Sequence, residues 1–329
     1  MAGFHVCVGI DAGTKTSKLG YSDNISTRII ASPEGFDINA LREEAEIFFD
    51  EPVFSCVIAI PENFSRRQRE DILFSAKSNG FTETEIITCY EAMCLAVPED
   101  ENKNILVCDM GASKTEFIIL NHDEVIANEI IDDVCGDSFD KTFAEYIADL
   151  RLIDSVDENI LREAMRIKHV LSEHESLTWH ERTITRDDFG RMIYFPVKRL
   201  THSADMLMRV HKPVKIIMTG GSCNVPLVRR MFAGISPDIQ PEFDLNLIVR
   251  GASLKAFTLS KENRNNARAD ISSRLQELRA GIIELEDILT RSQEDRLYSM
   301  FRQAEGMKDS GSITLIENLI REIKNASSR

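Results

Sequence analysis

One short pattern occurs twice in this chain and limits what the chain can fold into. Val6-Cys7-Val8-Gly9-Ile10 is an apolar run of buried-strand length, followed by Asp11-Ala12-Gly13-Thr14-Lys15-Thr16-Ser17. Lys18-Leu19-Gly20-Tyr21 then predicts a returning strand. Ile105 to Cys108 repeats this order, with Asp109, Met110-Gly111-Ala112-Ser113-Lys114-Thr115 and a returning strand over Glu116 to Leu120. A glycine turn lets backbone N–H groups approach a phosphate, because no Cβ stands in the way. Thr14, Lys15, Thr16 and Lys18 add hydroxyl and ammonium donors. Asp11, at a strand end, suits a magnesium ion held through its waters. One such hairpin is also an ordinary turn. Two can grip a polyphosphate from opposite sides, which one cannot.

A third motif supports the first two. Val214 to Met218 predicts a buried strand, Thr219-Gly220-Gly221-Ser222 follows it directly, and a helix begins at Pro226. A strand, a double glycine and a helix N-terminus suit a nucleotide's sugar or phosphates. Between these motifs the periodicity predicts helices over Ile38 to Phe49, Phe64 to Gly80, Glu91 to Val97, Phe139 to Leu150 and Glu158 to Leu171. Strands are expected around Thr27 to Ala31, Val53 to Ile60, Ile86-Ile87 and Val125 to Ile131, and a helix start capped by Thr185.

From Lys261 the character changes. The polar, asparagine-rich stretch Glu262 to Arg268 suggests a linker. Ile271, Leu275, Leu278, Ile282, Leu285 and Ile288 then alternate by four and three, as on an apolar helical seam. A break at Gly306 to Gly311 separates a second helix over Leu315 to Ile323, with Thr314 and Glu317 in capping-box spacing, so an antiparallel helical hairpin is expected. It either packs on the main body or presents an apolar stripe to a partner or a second copy.

Composition narrows the function classes. The 329 residues exceed one typical core, and 43% hydrophobic with 28% charged residues describes a globular chain. A net charge of −15 argues against broad attraction to nucleic acid or anionic membrane. No stretch is apolar for long enough to span a bilayer. The seven cysteines are scattered through apolar runs with no Cys-x-x-Cys, as in a reduced, cytoplasmic protein.

With the three motifs placed, GIDAGTKTSKLGY, DMGASKTEF and IIMTGGSCNVPLVRRMF resemble, in order, the two phosphate motifs and the adenosine motif of the actin, heat-shock-chaperone and sugar-kinase superfamily. The closest likeness is to the ATPase domain of the DnaK-type heat-shock chaperones, and it extends through VIAIPENFSRRQRED, GDSFDKTFAEYI, LREAMRIKHVLS and ITRDDF. It implies an α/β, two-lobed actin-like fold of duplicated ribonuclease-H-like lobes, with ATP and magnesium in the cleft. Residues 1–259 would form the nucleotide-binding domain (lobe I about 1–108, lobe II about 109–235, a return to lobe I about 236–259), and residues 260–329 a helical module. The resemblance makes Asp11 and Asp109 the carboxylates near the metal. Gly13, Thr14, Lys15 and Thr16 would face one side of the phosphates and Gly111, Ala112, Ser113 and Lys114 the other. Gly220, Gly221 and Ser222 would lie against the adenosine with Lys168, and Glu91 would position the attacking water.

Several departures from that family stand out. The stretches from Tyr21 to Val53 and from Ser172 to Thr185 are too short for the usual small subdomains, one of which supplies a phosphate-facing lysine. Lys18 takes the position at which actins carry a lysine. Lys114, Met165 and His169 replace family residues, and residues 260–329 do not resemble the family's substrate-binding β-domain. The expectation is a chaperone-like switch with weak ATPase activity and a protein partner. An actin-like filament protein and a non-hydrolysing nucleotide-binding adaptor are the alternatives.

Overall fold

The structure is a computed structural model that describes residues 6–23, 25–97, 103–285, 289–307 and 310–327. The first unit contains β1 (Cys7–Asp11), β2 (Lys18–Ser22), β3 (Thr27–Ala31), α1 (Ile38–Phe49), β4 (Ser55–Ile60), α2 (Arg66–Ser78), β5 (Glu83–Thr88) and α3 (Cys89–Ala96). The second contains β6 (Asn104–Met110), β7 (Thr115–Asn121), β8 (Glu124–Ile131), α4 (Gly136–Arg151), α5 (Glu158–Glu173), β9 (Ser176–Trp179), β10 (Arg182–Thr185), α6 (Arg186–His211), β11 (Lys215–Thr219), α7 (Pro226–Ala233) and β12 (Glu242–Phe243). The chain ends in α8 (Leu247–Ile283), α9 (Arg291–Met307) and α10 (Ser310–Ser327).

The two main sheets have the same plan. The first runs β3-β2-β1-β4-β5, with β1 antiparallel to β2 and parallel to β4. The second runs β8-β7-β6-β11-β12, with β6 antiparallel to β7 and parallel to β11. β1 and β6 are therefore equivalent strands, and Asp11 and Asp109 stand at equivalent ends. Each sheet needs helices on both faces, because the central strands are apolar throughout: every residue of β4 is buried. One helical layer is shared. α3 and the first half of α8 lie between the sheets, and Ala92, Met93, Ala252 and Ala256 meet Val57 and Ala59 of one sheet and Val107 and Ile118 of the other. Small residues allow that close approach. A Cβ on Gly251 would collide with the Ala92 carbonyl.

Local signals account for most element boundaries. Asp37 caps α1 by accepting from the N–H groups of Asn39 and Ala40, and Ser65 with Gln68 forms a capping box on α2. Thr185 caps α6 as expected, with Asp188 as its reciprocal partner. The two shortened subdomains survive as β3 with α1 and as the small β9–β10 hairpin.

Two expectations for the C-terminal region are corrected. Glu262 to Arg268 is not a linker, because it lies within the uninterrupted helix α8. Neither glycine nor proline occurs between Gly251 and Gly281, and polarity alone does not end a helix. The expected C-terminal helices are present, with one segment more than the expected pair. The end of α8, α9 and α10 bury Leu275, Leu278, Ile282, Leu285, Phe301, Ile316 and Ile320 in a core of their own. Thr314 does not cap its helix, since α10 begins at Ser310; Glu317 instead pairs with Arg274 at 2.9 Å. Ile288 lies outside the described residues.

Candidate functional site

The antiparallel register fixes what faces each strand-end aspartate. Lys18 lies opposite Asp11, and Glu116 occupies the equivalent place opposite Asp109. Burial pushes the Asp11 carboxyl up to about 6, against the pull of Lys18. It pushes Asp109 up to about 7, helped by the charges of Asp11 and Glu116 and opposed by those of Lys114 and Lys18. The two carboxyls and both lysines therefore share one electrostatic neighbourhood. The Lys18 ammonium donates to the Leu245 carbonyl, and the Lys114 ammonium pairs with Glu116 at 2.8 Å.

The first hairpin is held from the side by the turn before α1: Gly35 N–H donates to the Lys15 carbonyl at 2.7 Å and Ser17 Oγ to the Gly35 carbonyl at 2.6 Å. The Lys15 side chain leaves its own sheet and crosses to α4, where it pairs with Asp137 and, at 3.3 Å, with Asp140. Burial acts against its charge, but the hydrogen bond it donates to Asp137 and the Asp140 charge outweigh this and raise its pKa. Asp140 is almost wholly buried and also holds Lys168 of α5, at 2.5 Å. Lys15 and Lys168 thus meet on one carboxylate at the junction of the two units.

The second hairpin is fastened to the adenosine-type turn. Gly136 and Asp137, the first residues of α4, donate to the carbonyls of Gly111 and Ala112 at 3.0 and 2.7 Å. Ser222 Oγ donates to the Gly111 carbonyl at 3.1 Å. Gly220 has φ +84°, and a Cβ there would stand 2.6 Å from Asp109 Oδ1, so the backbone at this turn can follow β11 only as glycine. Gly221 and Ser113 are exposed.

The structure gathers Asp11, Gly13 to Lys15, Lys18, Asp109, Gly111 to Lys114, Lys168 and Gly220 to Ser222 about this junction, whereas Glu91 is engaged elsewhere. α3 begins at Cys89, so Glu91 is its third residue and folds back on the cap. Its carboxylate accepts from Thr88 N–H at 2.6 Å and is exposed, while Thr88 Oγ1 accepts from Glu91 N–H at 3.1 Å. The residue that α3 turns toward the aspartates is Cys89, whose thiol is pushed far up by burial and by the charges of Asp11, Glu62, Asp109 and Glu116.

Three carboxylates were not read from the sequence. Glu116 could have been found by aligning the second hairpin on the first, since it takes the place of Lys18. Asp140 carries no motif signal beyond its helical position. Glu62 sits in the β4–α2 loop and accepts from Tyr90 N–H at 2.6 Å. Among the described residues no three His, Cys, Asp or Glu side chains are grouped to hold a metal directly. Asp11 and Asp109, a pair of half-buried oxygen donors with raised pKa values, fit a hard cation that keeps most of its own waters.

Two sheets of duplicated topology around one shared helical layer, with acid-ended strands and glycine hairpins at their junction, define the two-lobed actin-like ATPase fold. Residues 35–271 match the family described as Hsp70 protein, and the chain belongs to that family. It is similar to chaperone protein HscA of Buchnera aphidicola subsp. Baizongia pistaciae, at 26% identity over 271 residues, 74% of this chain and 52% of that protein. HscA of Xenorhabdus nematophila is 29% identical over 245 residues, 68% of this chain and 40% of its own. HscA of Yersinia enterocolitica is 27% identical over 247 residues, with the same 68% and 40% coverage. The chain thus spans about half or less of the length of the curated relatives it matches. Among the described residues no helix is long and apolar enough to cross a membrane.

Proposed function

We propose that the chain binds ATP with magnesium between its two lobes, hydrolyses it slowly, and uses lobe closure to change how a protein partner is held. The observation that carries this reading is the Asp11–Asp109 pair: one carboxyl from the equivalent end of each sheet, both raised by burial. Two half-buried acids that feel each other's charge are costly as anions unless a cation shares them. Magnesium held there through its waters would neutralise phosphate charge as hydrolysis proceeds. Backbone N–H groups of Gly13, Thr14 and Lys15, with Thr16, would hold one side of the phosphates, and those of Gly111, Ala112 and Ser113, with Lys114, the other. Lys18 would supply the phosphate-facing cation. Gly220, Gly221, Ser222 and Lys168 would lie against the adenosine.

Lys15 gives this reading its coupling. To reach a phosphate it exchanges Asp137 and Asp140 for the ligand, so binding and the contact between lobes draw on the same side chain. Membership of the Hsp70 family and the chaperone names of the relatives support a protein partner, for which the C-terminal helices are the proposed contact, in the cytoplasm. Residues 1–259 would carry the nucleotide and 260–329 the partner.

Calorimetry with ATP and ADP, with and without magnesium, tests the proposal. Magnesium should tighten binding of ATP by about tenfold or more, and Asp11→Asn should remove most of that gain. Absence of binding to either nucleotide would overturn the reading. Light scattering with ATP separates it from filament assembly, which alone would give a nucleotide-dependent rise.

A further inference from the structure

We propose that Glu62, in the loop between β4 and α2, is the residue that orients the attacking water in this chain; the inference rests on the hydrolysis proposed above. The family resemblance directs attention to α3 for this role, but the carboxylate there, Glu91, caps its own helix and is exposed. The α3 residue facing the aspartates is Cys89, a buried thiol that accepts a hydrogen bond poorly. Another part of the chain brings a carboxylate to the same place.

Glu62 is held for the task from one side. Its Oε1 accepts from Tyr90 N–H at 2.6 Å, which ties the β4–α2 loop to the first turn of α3 and fixes the carboxylate plane. Its Oε2 is buried and has no hydrogen-bond partner among the described residues. Buried carboxylate oxygens are seldom left unpaired, and one among charged groups is an acceptor awaiting an O–H. The surroundings locate that site. The phenol of Tyr90 donates to Glu116 at 3.2 Å, Lys114 pairs with Glu116 at 2.8 Å, and Glu116 faces Asp109 across the β6–β7 ladder. Burial, followed by the Glu116 charge, raises the pKa of Glu62 and makes it a better base than an exposed glutamate.

Water bound to Oε2 would be turned with its lone pair away from Glu62, toward phosphate held at Asp11, Asp109 and Lys18. Its proton passes to Oε2 as the oxygen–phosphorus bond forms and the bond to the leaving ADP oxygen breaks. Atoms and charge balance with water as the only co-reactant.

Single-turnover hydrolysis and ATP affinity, measured side by side on the full chain, decide the matter. Glu62→Gln keeps an acceptor for Tyr90 N–H and should bind ATP within about twofold of wild type, while its hydrolysis rate falls on the order of a hundredfold. Glu62→Asp should recover part of that loss, which a purely structural residue would not predict. Glu91→Gln should hydrolyse ATP at close to the wild-type rate. If Glu62→Gln loses ATP binding, Glu62→Ala is read by the same criterion. A wild type that cleaves ATP while Glu62→Gln or Glu62→Ala cleaves it equally fast removes Glu62 from the reaction and leaves the hydrolysis reading intact. A wild type that binds ATP without cleaving it overturns both.

Discussion

Replacing Asp109 by asparagine should stabilise the nucleotide-free protein above pH 7 while damaging its magnesium-dependent binding of ATP. Asp109 ionises near 3.8 in an unfolded chain and is held up to about 7 in the folded one. Between those values the unfolded state has released a proton that the folded state keeps, so stability declines as pH rises from about 4 to about 7 and is flat above. A rise of that size corresponds to a penalty of about 4 kcal/mol at pH 8. Asp11, raised to about 6, carries a smaller penalty of the same sign, about 3 kcal/mol. The two do not add, because the Asp11 charge is one cause of the Asp109 shift. At about 2 to 4 °C per kcal/mol for a chain of this size, Asp109→Asn should raise Tm at pH 8 by on the order of 10 °C and at pH 5 by only about a third of that. Thermal unfolding followed by circular dichroism from pH 5 to 8 measures both values. Equal Tm differences at the two pH values would refute the assignment of a raised pKa to Asp109.

Two further perturbations separate other parts of the structure. Asp140→Asn leaves Lys168, whose side chain is 9% exposed, without its carboxylate; stability should fall by about 3 kcal/mol, seen as a Tm drop of about 6 to 12 °C. A drop below about 2 °C would show that Lys168 relaxes to solvent at little cost. A chain ending after Ser260 should keep ATP affinity and lose self-association or partner binding, since the α8 residues packed between the sheets end near Leu259 and the C-terminal core begins near Ile271. An insoluble or ATP-blind product would make the C-terminal helices part of the main core.

The fold was legible where a local rule and a tertiary demand coincide. α1 begins after Asp37 and ends at Phe49, as its spacing requires, because the residues that face the core also follow the helical period. The continuous strand β4 could be read from its apolar run alone. β9 and β10 could not: Ser176–Trp179 and Arg182–Thr185 are four-residue strands with one exposed face, and such segments resemble polar loops. The run from Glu262 to Arg268 misled in the opposite direction. Its composition is that of a linker, but the flanking parts of α8 are anchored in separate cores and no breaker lies between them.

The site was legible to the extent that it is made of backbone. Glycine hairpins and strand-end aspartates carry their geometry in their order along the chain, so Asp11, Gly13, Asp109, Gly111 and Gly220 could be named from the sequence, and the structure gathers them at one junction. Side chains that arrive from elsewhere could not be named in this way. Glu91 has the right type and the approximate place, but the start of α3 two residues earlier makes it part of the capping box. Glu62, proposed above to orient the water, is tied to α3 by a hydrogen bond from the N–H of Tyr90, a residue twenty-eight positions away. Duplication explains the remaining asymmetry. At the position opposite the strand-end aspartate, one lobe presents Lys18 and the other Glu116. A symmetric pair of lysines would grip polyphosphate more tightly, but it would leave no acceptor on the side where water must be held. A symmetric pair of acids would repel the ligand. In the proposed reading, one cation and one anion at equivalent places would let the same hairpin, used twice, bind phosphate from one lobe and organise the Lys114, Tyr90 and Glu62 side chains from the other.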